Sequence, residues 1–253
     1  MRRGLAEAQL VDLAAIGLDW DGPVVRQSER LALYDEALAR LHGDGRLYPC
    51  YCTRAEIREA ASAPHGPLAE GVYPGTCREL SAAQRAERER SGRPPALRVR
   101  GEAARMAFED RLLGSQEGVV DDYVVRRNDG AHAYNLAVVV DDAAQNVGEV
   151  VRGADLLETT ARQLHLGALL GLAAAAHAHV PLVLGPDGKR LSKRHGAVTL
   201  ADRRAAGEPP PFVRAALATS IGLTEPGEAP TMAQLLERFD PVRLPREPTV
   251  LAP

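Results

Sequence analysis

The chain has 253 residues, 45% of them hydrophobic and 26% charged, with a formal net charge of -3. That composition describes an ordinary enzyme-sized globular chain, large enough for one big domain with an insertion or for two modest ones. No run approaches the ~18 to 20 apolar residues of a membrane span, and Glu7 and Asp12 interrupt the N-terminal stretch where a signal peptide needs a smooth apolar core, so a cytoplasmic protein is expected. The mild acidity argues against nonspecific coating of nucleic acid, while leaving room for a specific RNA partner held by a local basic patch.

Helical spacing of Leu10, Leu13 and Ile16 predicts a helix over 6–17, closed by Gly17 in a left-handed cap. After the turn-rich Leu18-Asp19-Trp20-Asp21-Gly22-Pro23, a second helix is expected from an N-cap at Ser28, with Leu31, Tyr34, Leu38 and Leu41 on one face and Gly43-Asp44-Gly45 as its stop. Residues 47–52 are aromatic and cysteine-bearing, and lead to a short helix, a Pro/Gly-rich loop over 63–75 and a polar helix around 81–91. Seven arginines between Arg78 and Arg100 alternate with Glu79, Glu87 and Glu89, which reads more simply as a solvated, ion-paired face than as an RNA-binding surface.

Further on, 122–127 and 133–140 are expected to be strands joined by the turn Asn128-Asp129-Gly130, the second a buried, continuously apolar one. A strand over 147–151 precedes Arg152-Gly153-Ala154-Asp155 and an apolar helix from Leu156 to about Leu172. Strand, short loop and helix form the unit of a doubly wound α/β sheet, whose ligands sit at the carboxyl ends of strands, where Arg152 falls. A strand over 180–184, the turn Gly185-Pro186-Asp187-Gly188, helices near 211–223 and 232–239 and a loose Pro-rich end over 241–253 complete the reading.

Two features point to chemistry. Lys189 and Lys193 are the only lysines among 31 basic residues, and both lie in Lys189-Arg190-Leu191-Ser192-Lys193-Arg194. A compact ammonium on a flexible stem can follow a phosphate through a reaction where a planar guanidinium demands a fixed fork, although a solvated basic turn would look the same in sequence. All three cysteines, Cys50, Cys52 and Cys77, fall within one short region; the odd number argues against a disulfide framework and for a metal or a local structural role.

RLSKR followed by HGA resembles the second ATP-binding motif of class I aminoacyl-tRNA synthetases in its glutamyl form, and AYNLAVVVDD at 133–142, VRGADLLETTARQ at 151–163 and LGLDWDGPVVRQSER at 17–30 extend the resemblance in the same order. It implies a class I Rossmann-type parallel sheet with an inserted zinc-bearing α/β subdomain. Lys193 would contact ATP phosphates and stabilise the transition state of adenylate formation, with Arg190, Leu191 and Ser192 in the same loop and Mg²⁺ accompanying the ATP. Tyr134 and Arg152 match the glutamate-binding tyrosine and arginine. A surface ion pair with Asp155 is the alternative for Arg152, and a core aromatic for Tyr134.

Within the family, Cys50-Tyr51-Cys52, Tyr73 and Cys77 resemble the structural zinc site of a shortened paralogue group. That group lacks the anticodon-binding region and attaches activated glutamate to queuosine in the anticodon stem-loop of tRNA(Asp). His65 is a chemically easier fourth ligand than Tyr73, and three reduced thiols are the alternative to any metal. The expected organisation is a remnant of the first half of the catalytic domain over 1–46, the zinc-bearing subdomain over 47–120, the second half with the lysine loop over 121–223, and a helix and tail over 224–253, as a monomer. Residues 1–30 hold neither an FAPSP-like loop nor a His-x-Gly-His pair, the family's first ATP motif. The expectation is therefore an incomplete copy lacking the first strand and helix of the fold, against a noncatalytic zinc- and tRNA-binding remnant or a fragment of a glutamyl-tRNA synthetase.

Overall fold

The computed structural model describes residues 4–61, 72–190 and 199–250. The chain divides into two units, one of Val25–Arg152 with Leu156–Ala178 and the other of Met1–Val24, Gly153–Asp155 and His179–Pro253. Helix α1 (Leu5–Ala15) belongs to the latter. Its end is the expected one: Gly17 takes φ +94°, and the Leu18 amide donates to the Leu13 carbonyl at 3.0 Å, closing the last turn.

The larger unit opens with α2 (Leu31–Gly43), which buries Tyr34, Ala37, Leu38 and Leu41, the face its spacing predicts. Ser28 is not its N-cap: Gln27–Glu29 form a separate 3₁₀ turn and Arg30 takes the cap position without a side-chain cap bond. The entry is held instead by Asp141, whose carboxylate accepts from Arg30 Nε at 2.6 Å, Tyr34 Oη at 2.7 Å and Gln27 Nε2 at 3.1 Å. Next come β1 (Leu47–Cys50), α3 (Arg54–Ala61) and α4 (Ala82–Arg90), the last opened by a capping box between Ser81 and Gln84. Strand β2 (Ala96–Val99) pairs antiparallel with β1, matching Tyr48 to Arg98 and Cys50 to Ala96. Strands β3 (Arg105–Asp110) and β4 (Gly114–Val119) form a hairpin, and β5 (Val124–Arg126) completes the sheet β1-β2-β5.

Residues 133–140 overturn one expectation. They are not a strand but most of helix α5 (Tyr134–Ala144), which buries Leu136, Ala137 and Asp141. The run of three valines suggested β structure, yet 136, 137, 140 and 141 share one helical face and α5 packs on α2 and α6 through it. Strand β6 (Glu149–Gly153) and helix α6 (Leu157–Leu169) follow as expected, with a 3₁₀ turn at Ala154–Leu156 between them. Strand β7 (Ala176–Val180) precedes the predicted position and completes a second sheet of order β4-β3-β7-β6, in which β3 and β7 run parallel. Tyr34, Leu41, Val99, Val120, Val125, Leu136 and Leu166 lie in one buried cluster at the centre of this unit.

In the other unit, β8 (Val183–Leu184) pairs parallel with β9 (Thr249–Val250), so the Pro-rich end is tied to the fold rather than loose at that point. Helices α7 (Leu200–Ala205), α8 (Pro210–Ser220) and α9 (Met232–Arg238) lie between them, the first unanticipated.

Gly101 marks the tightest backbone approach: a Cβ there would lie 2.3 Å from the Asp121 carbonyl oxygen and 2.6 Å from that of Val120. Gly101→Ala is expected to destabilise the protein by about 1–3 kcal/mol, since backbone rather than a side chain must give way. Urea unfolding of the two proteins checks it; equal midpoints would show that the 101 and 121 segments move apart freely.

Candidate functional site

Two clusters in the larger unit carry the chemistry. The first is built by β1, the segment after it and the loop around Tyr73. Cys50, Cys52 and Cys77 place their sulfurs within 4.8 Å of one another. The Cys52 and Cys77 sulfurs are 3.4 Å apart, and the Tyr73 hydroxyl lies 3.3 Å from Cys50 Sγ and 3.6 Å from Cys52 Sγ while accepting from the Cys77 amide at 2.9 Å. A tetrahedral ion with metal–sulfur bonds of about 2.3 Å and a metal–oxygen bond of about 2.0 Å needs sulfur–sulfur edges of about 3.8 Å and sulfur–oxygen edges of about 3.5 Å. The Cys52–Cys77, Cys50–Tyr73 and Cys52–Tyr73 edges lie close to those values, and with all three sulfurs within 4.8 Å of one another the donor set fits such an ion. His65 lies outside the described residues.

The surroundings tune these groups unequally. Burial would raise the Cys50 thiol, but its hydrogen bond with Tyr73 and the guanidinium of Arg98 outweigh it and hold it low. Burial, with the Cys77 and Cys50 thiols adding to it, pushes Cys52 up to about 12. Burial and the two sulfurs raise the Tyr73 phenol as well. Arg98, on β2 and 8% exposed, lies with its guanidinium carbon 3.6 Å from the Tyr73 ring centroid. This guanidinium stands in the arginine run whose other members largely behave as the ion-paired reading expects, as with Arg78 to Asp122, Arg88 to Glu56 and Arg100 to Glu79.

The second cluster gathers around Arg152 at the carboxyl end of β6. Its guanidinium donates to Gln163 Oε1 at 2.6 Å and to Thr160 Oγ1 at 2.8 Å, both on α6 and both buried. Gln163 then donates through Nε2 to Asn135 Oδ1 at 3.0 Å, linking Arg152 to the first turn of α5. Tyr134 opens that helix and is 51% exposed, so it is not the core aromatic that the sequence also allowed. A guanidinium fixed by neutral acceptors and joined to the turn bearing an exposed phenol can grip and orient a small carboxylate. Thr160, Gln163 and Asn135 escaped sequence reasoning, although two polar residues three apart on the apolar helix α6 were a signal.

The lysine loop is seen only at its start. Leu191, Ser192 and Lys193 lie outside the described residues. Arg190 donates from Nη1 to Asp155 Oδ2 at 2.6 Å, so the carboxylate weighed as a partner for Arg152 carries Arg190.

The chain belongs to the class I tRNA synthetases: the family described as "tRNA synthetases class I (E and Q), catalytic domain" matches residues 2–248. It is accordingly a ligase of a family that works with ATP and Mg²⁺. More particularly, it is 59% identical over 251 residues to a protein of Nocardia farcinica named "Glutamyl-Q tRNA(Asp) synthetase", covering 99% of this chain and 79% of that one. A protein of the same name from Symbiobacterium thermophilum is 50% identical, with 98% and 80% covered. Among solved structures, a glutamate tRNA ligase from Elizabethkingia meningosepticum in complex with its amino acid superposes with a TM-score of 0.77 at 23% identity, over 98% of this chain and 57% of that one. This likeness establishes the class I Rossmann-like α/β fold. Among the described residues, no helix is long and apolar enough to cross a membrane.

Gln163→Leu removes at once an acceptor for Arg152 and a donor to Asn135, leaving two half-buried polar groups with one partner fewer each. It should cost about 1–3 kcal/mol of stability in a denaturant titration. An unchanged midpoint would show that the amide bridge contributes nothing.

Proposed function

We propose that the protein activates glutamate with ATP and transfers it to queuosine in the anticodon of tRNA(Asp). The observation that carries this reading is identity of 59% and 50% to proteins named for that activity over nearly the whole chain. The site geometry supports it. The carboxylate-binding chemistry of Arg152 and the exposed hydroxyl of Tyr134 suit the glutamate substrate, and the link through Gln163 and Asn135 keeps them in one rigid frame.

In the first step the glutamate α-carboxylate attacks the α-phosphate of ATP, giving glutamyl-adenylate and pyrophosphate. Lys193, with Arg190, Leu191 and Ser192 in its loop, is assigned to the phosphates, where an ammonium on a flexible stem can stay with the charge as it moves to the leaving group. In the second step a hydroxyl of the queuosine cyclopentene-diol displaces AMP and takes the glutamyl group as an ester. The tRNA(Asp) anticodon stem-loop is the partner this reading names, and one monomer suffices for it. Zinc is the ion assigned to Cys50, Cys52, Cys77 and Tyr73, where it would pin a loop-rich region with few apolar residues of its own.

Glutamate-dependent ATP–pyrophosphate exchange checks the first step, and exchange that runs equally well without glutamate would overturn it. In the active form, transfer of labelled glutamate should require queuosine in tRNA(Asp); equal labelling of tRNA without it would refute the substrate assignment. Arg152→Lys should raise the KM for glutamate by about 10- to 100-fold through loss of the bidentate grip. Lys193→Arg should lower the activation rate while leaving glutamate affinity nearly intact; an unchanged rate would remove the phosphate role. Metal analysis of residues 1–253 should find about one zinc per chain, lost on joint replacement of Cys50 and Cys52 by serine.

A further inference from the structure

A tetrahedral centre of this donor set is anionic. Three thiolates outweigh a divalent ion, and a phenolate adds more negative charge. Buried anionic centres are costly unless a cation or several donors compensate them. Strand register places such a cation here. Arg98 stands opposite Tyr48 across the β1–β2 ladder, so its side chain leaves the sheet on the face shared by Tyr48 and Cys50, diagonal to the cysteine.

Three further observations converge on it. The Arg98 guanidinium covers the Tyr73 ring at 3.6 Å, and one of its arms is fixed by the Asp122 carbonyl at 2.7 Å. Arg98 Nε is buried without a hydrogen-bond partner, a cost that an adjacent anion would offset.

We infer that Arg98 is the built-in counter-cation of the metal centre, setting its affinity for the ion through charge from behind the Tyr73 ring and beside Cys50. The inference rests on the zinc reading above. It makes Arg98 a positioning and charge-balancing residue rather than a ligand, and gives this arginine a task different from its ion-paired neighbours. Lysine at 98 would retain much of the effect; a neutral side chain of similar length would not.

The test is zinc affinity of residues 1–253, measured by competition with a chromophoric chelator, for the wild type, Arg98→Lys and Arg98→Met. Wild type that takes up no zinc would defeat the zinc reading itself, before Arg98 is questioned. If wild type binds, Arg98→Met should bind roughly 10- to 100-fold more weakly, the range seen when outer-shell partners of a metal are lost, and Arg98→Lys should stay within a few-fold. The Co²⁺-loaded forms should keep their sulfur-to-cobalt charge-transfer band, showing that the ligand set is intact and that charge accounts for the loss. Binding by Arg98→Met within twofold of wild type would overturn the inference. Equal losses in the lysine and methionine variants would also overturn it, assigning the effect to packing of the guanidinium. Should Arg98→Met fail to fold, Arg98→Gln, which retains a donor for the Asp122 carbonyl, takes its place with the same outcomes.

Discussion

Two adjacent carboxylates, Asp121 and Asp122, tie the larger unit together where β4 gives way to β5. Asp122 is buried and accepts from Tyr48 Oη at 2.5 Å, Gly101 N at 2.7 Å and Arg78 Nη1 at 3.0 Å, while its carbonyl accepts from Arg98. Asp121 accepts from Arg162 Nε at 2.6 Å and from the Tyr73 amide at 3.1 Å. Buried charge is tolerated only when its lone pairs are taken up, and these two residues have theirs filled from β1, β2, α6 and the cysteine-bearing loop. Each of those segments is thereby fixed in relation to the others, which explains why Gly101 must lie so close to the 121 backbone.

That arrangement gives the thiol cluster its support. The loop around Tyr73 has little apolar surface of its own; Tyr73 is held at its backbone by Asp121, at its ring by Arg98 and at its hydroxyl by Cys77 N and the sulfurs. A metal ion would join a site already shaped by protein contacts, so its binding energy would go into closing the cluster rather than into assembling it. The Arg152 cluster follows the same logic with neutral partners. Gln163 serves as acceptor on one side and donor on the other, which an amide can do and a carboxylate cannot.

Much of this was legible in sequence. The helices α1 and α2 followed from apolar spacing and stop signals, α4 from its polar composition and α6 from its apolar run after a strand, and the cysteine triplet and the arginine at the end of β6 were recognisable by residue type and position. The failure at 133–140 has a physical cause. Valine prefers strands only as far as its surroundings are pleated, and here burial of Leu136, Ala137 and Asp141 against α2 and α6 outweighs that preference. What stayed hidden were the supporting contacts. Arg98 sat in a run of arginines that mostly form surface pairs, and Gln163 closed a motif without announcing that it bonds across to Asn135. Both roles arise from partners 24 to 28 residues away, which no local pattern encodes.

Consecutive residues on a helix point about 100° apart, and on α6 two of them are spoken for: Arg162 by Asp121 and Gln163 by Arg152 and Asn135. Two restraints at different azimuths prevent the helix from turning about its own axis. At a side-chain radius of about 5–6 Å, a turn of roughly 10° would carry a tip by about 1 Å, enough to break either set of bonds. The azimuth of α6 is thus a mechanical gauge, read at one residue by the segment that carries the thiols and at the next by the arginine that ends β6.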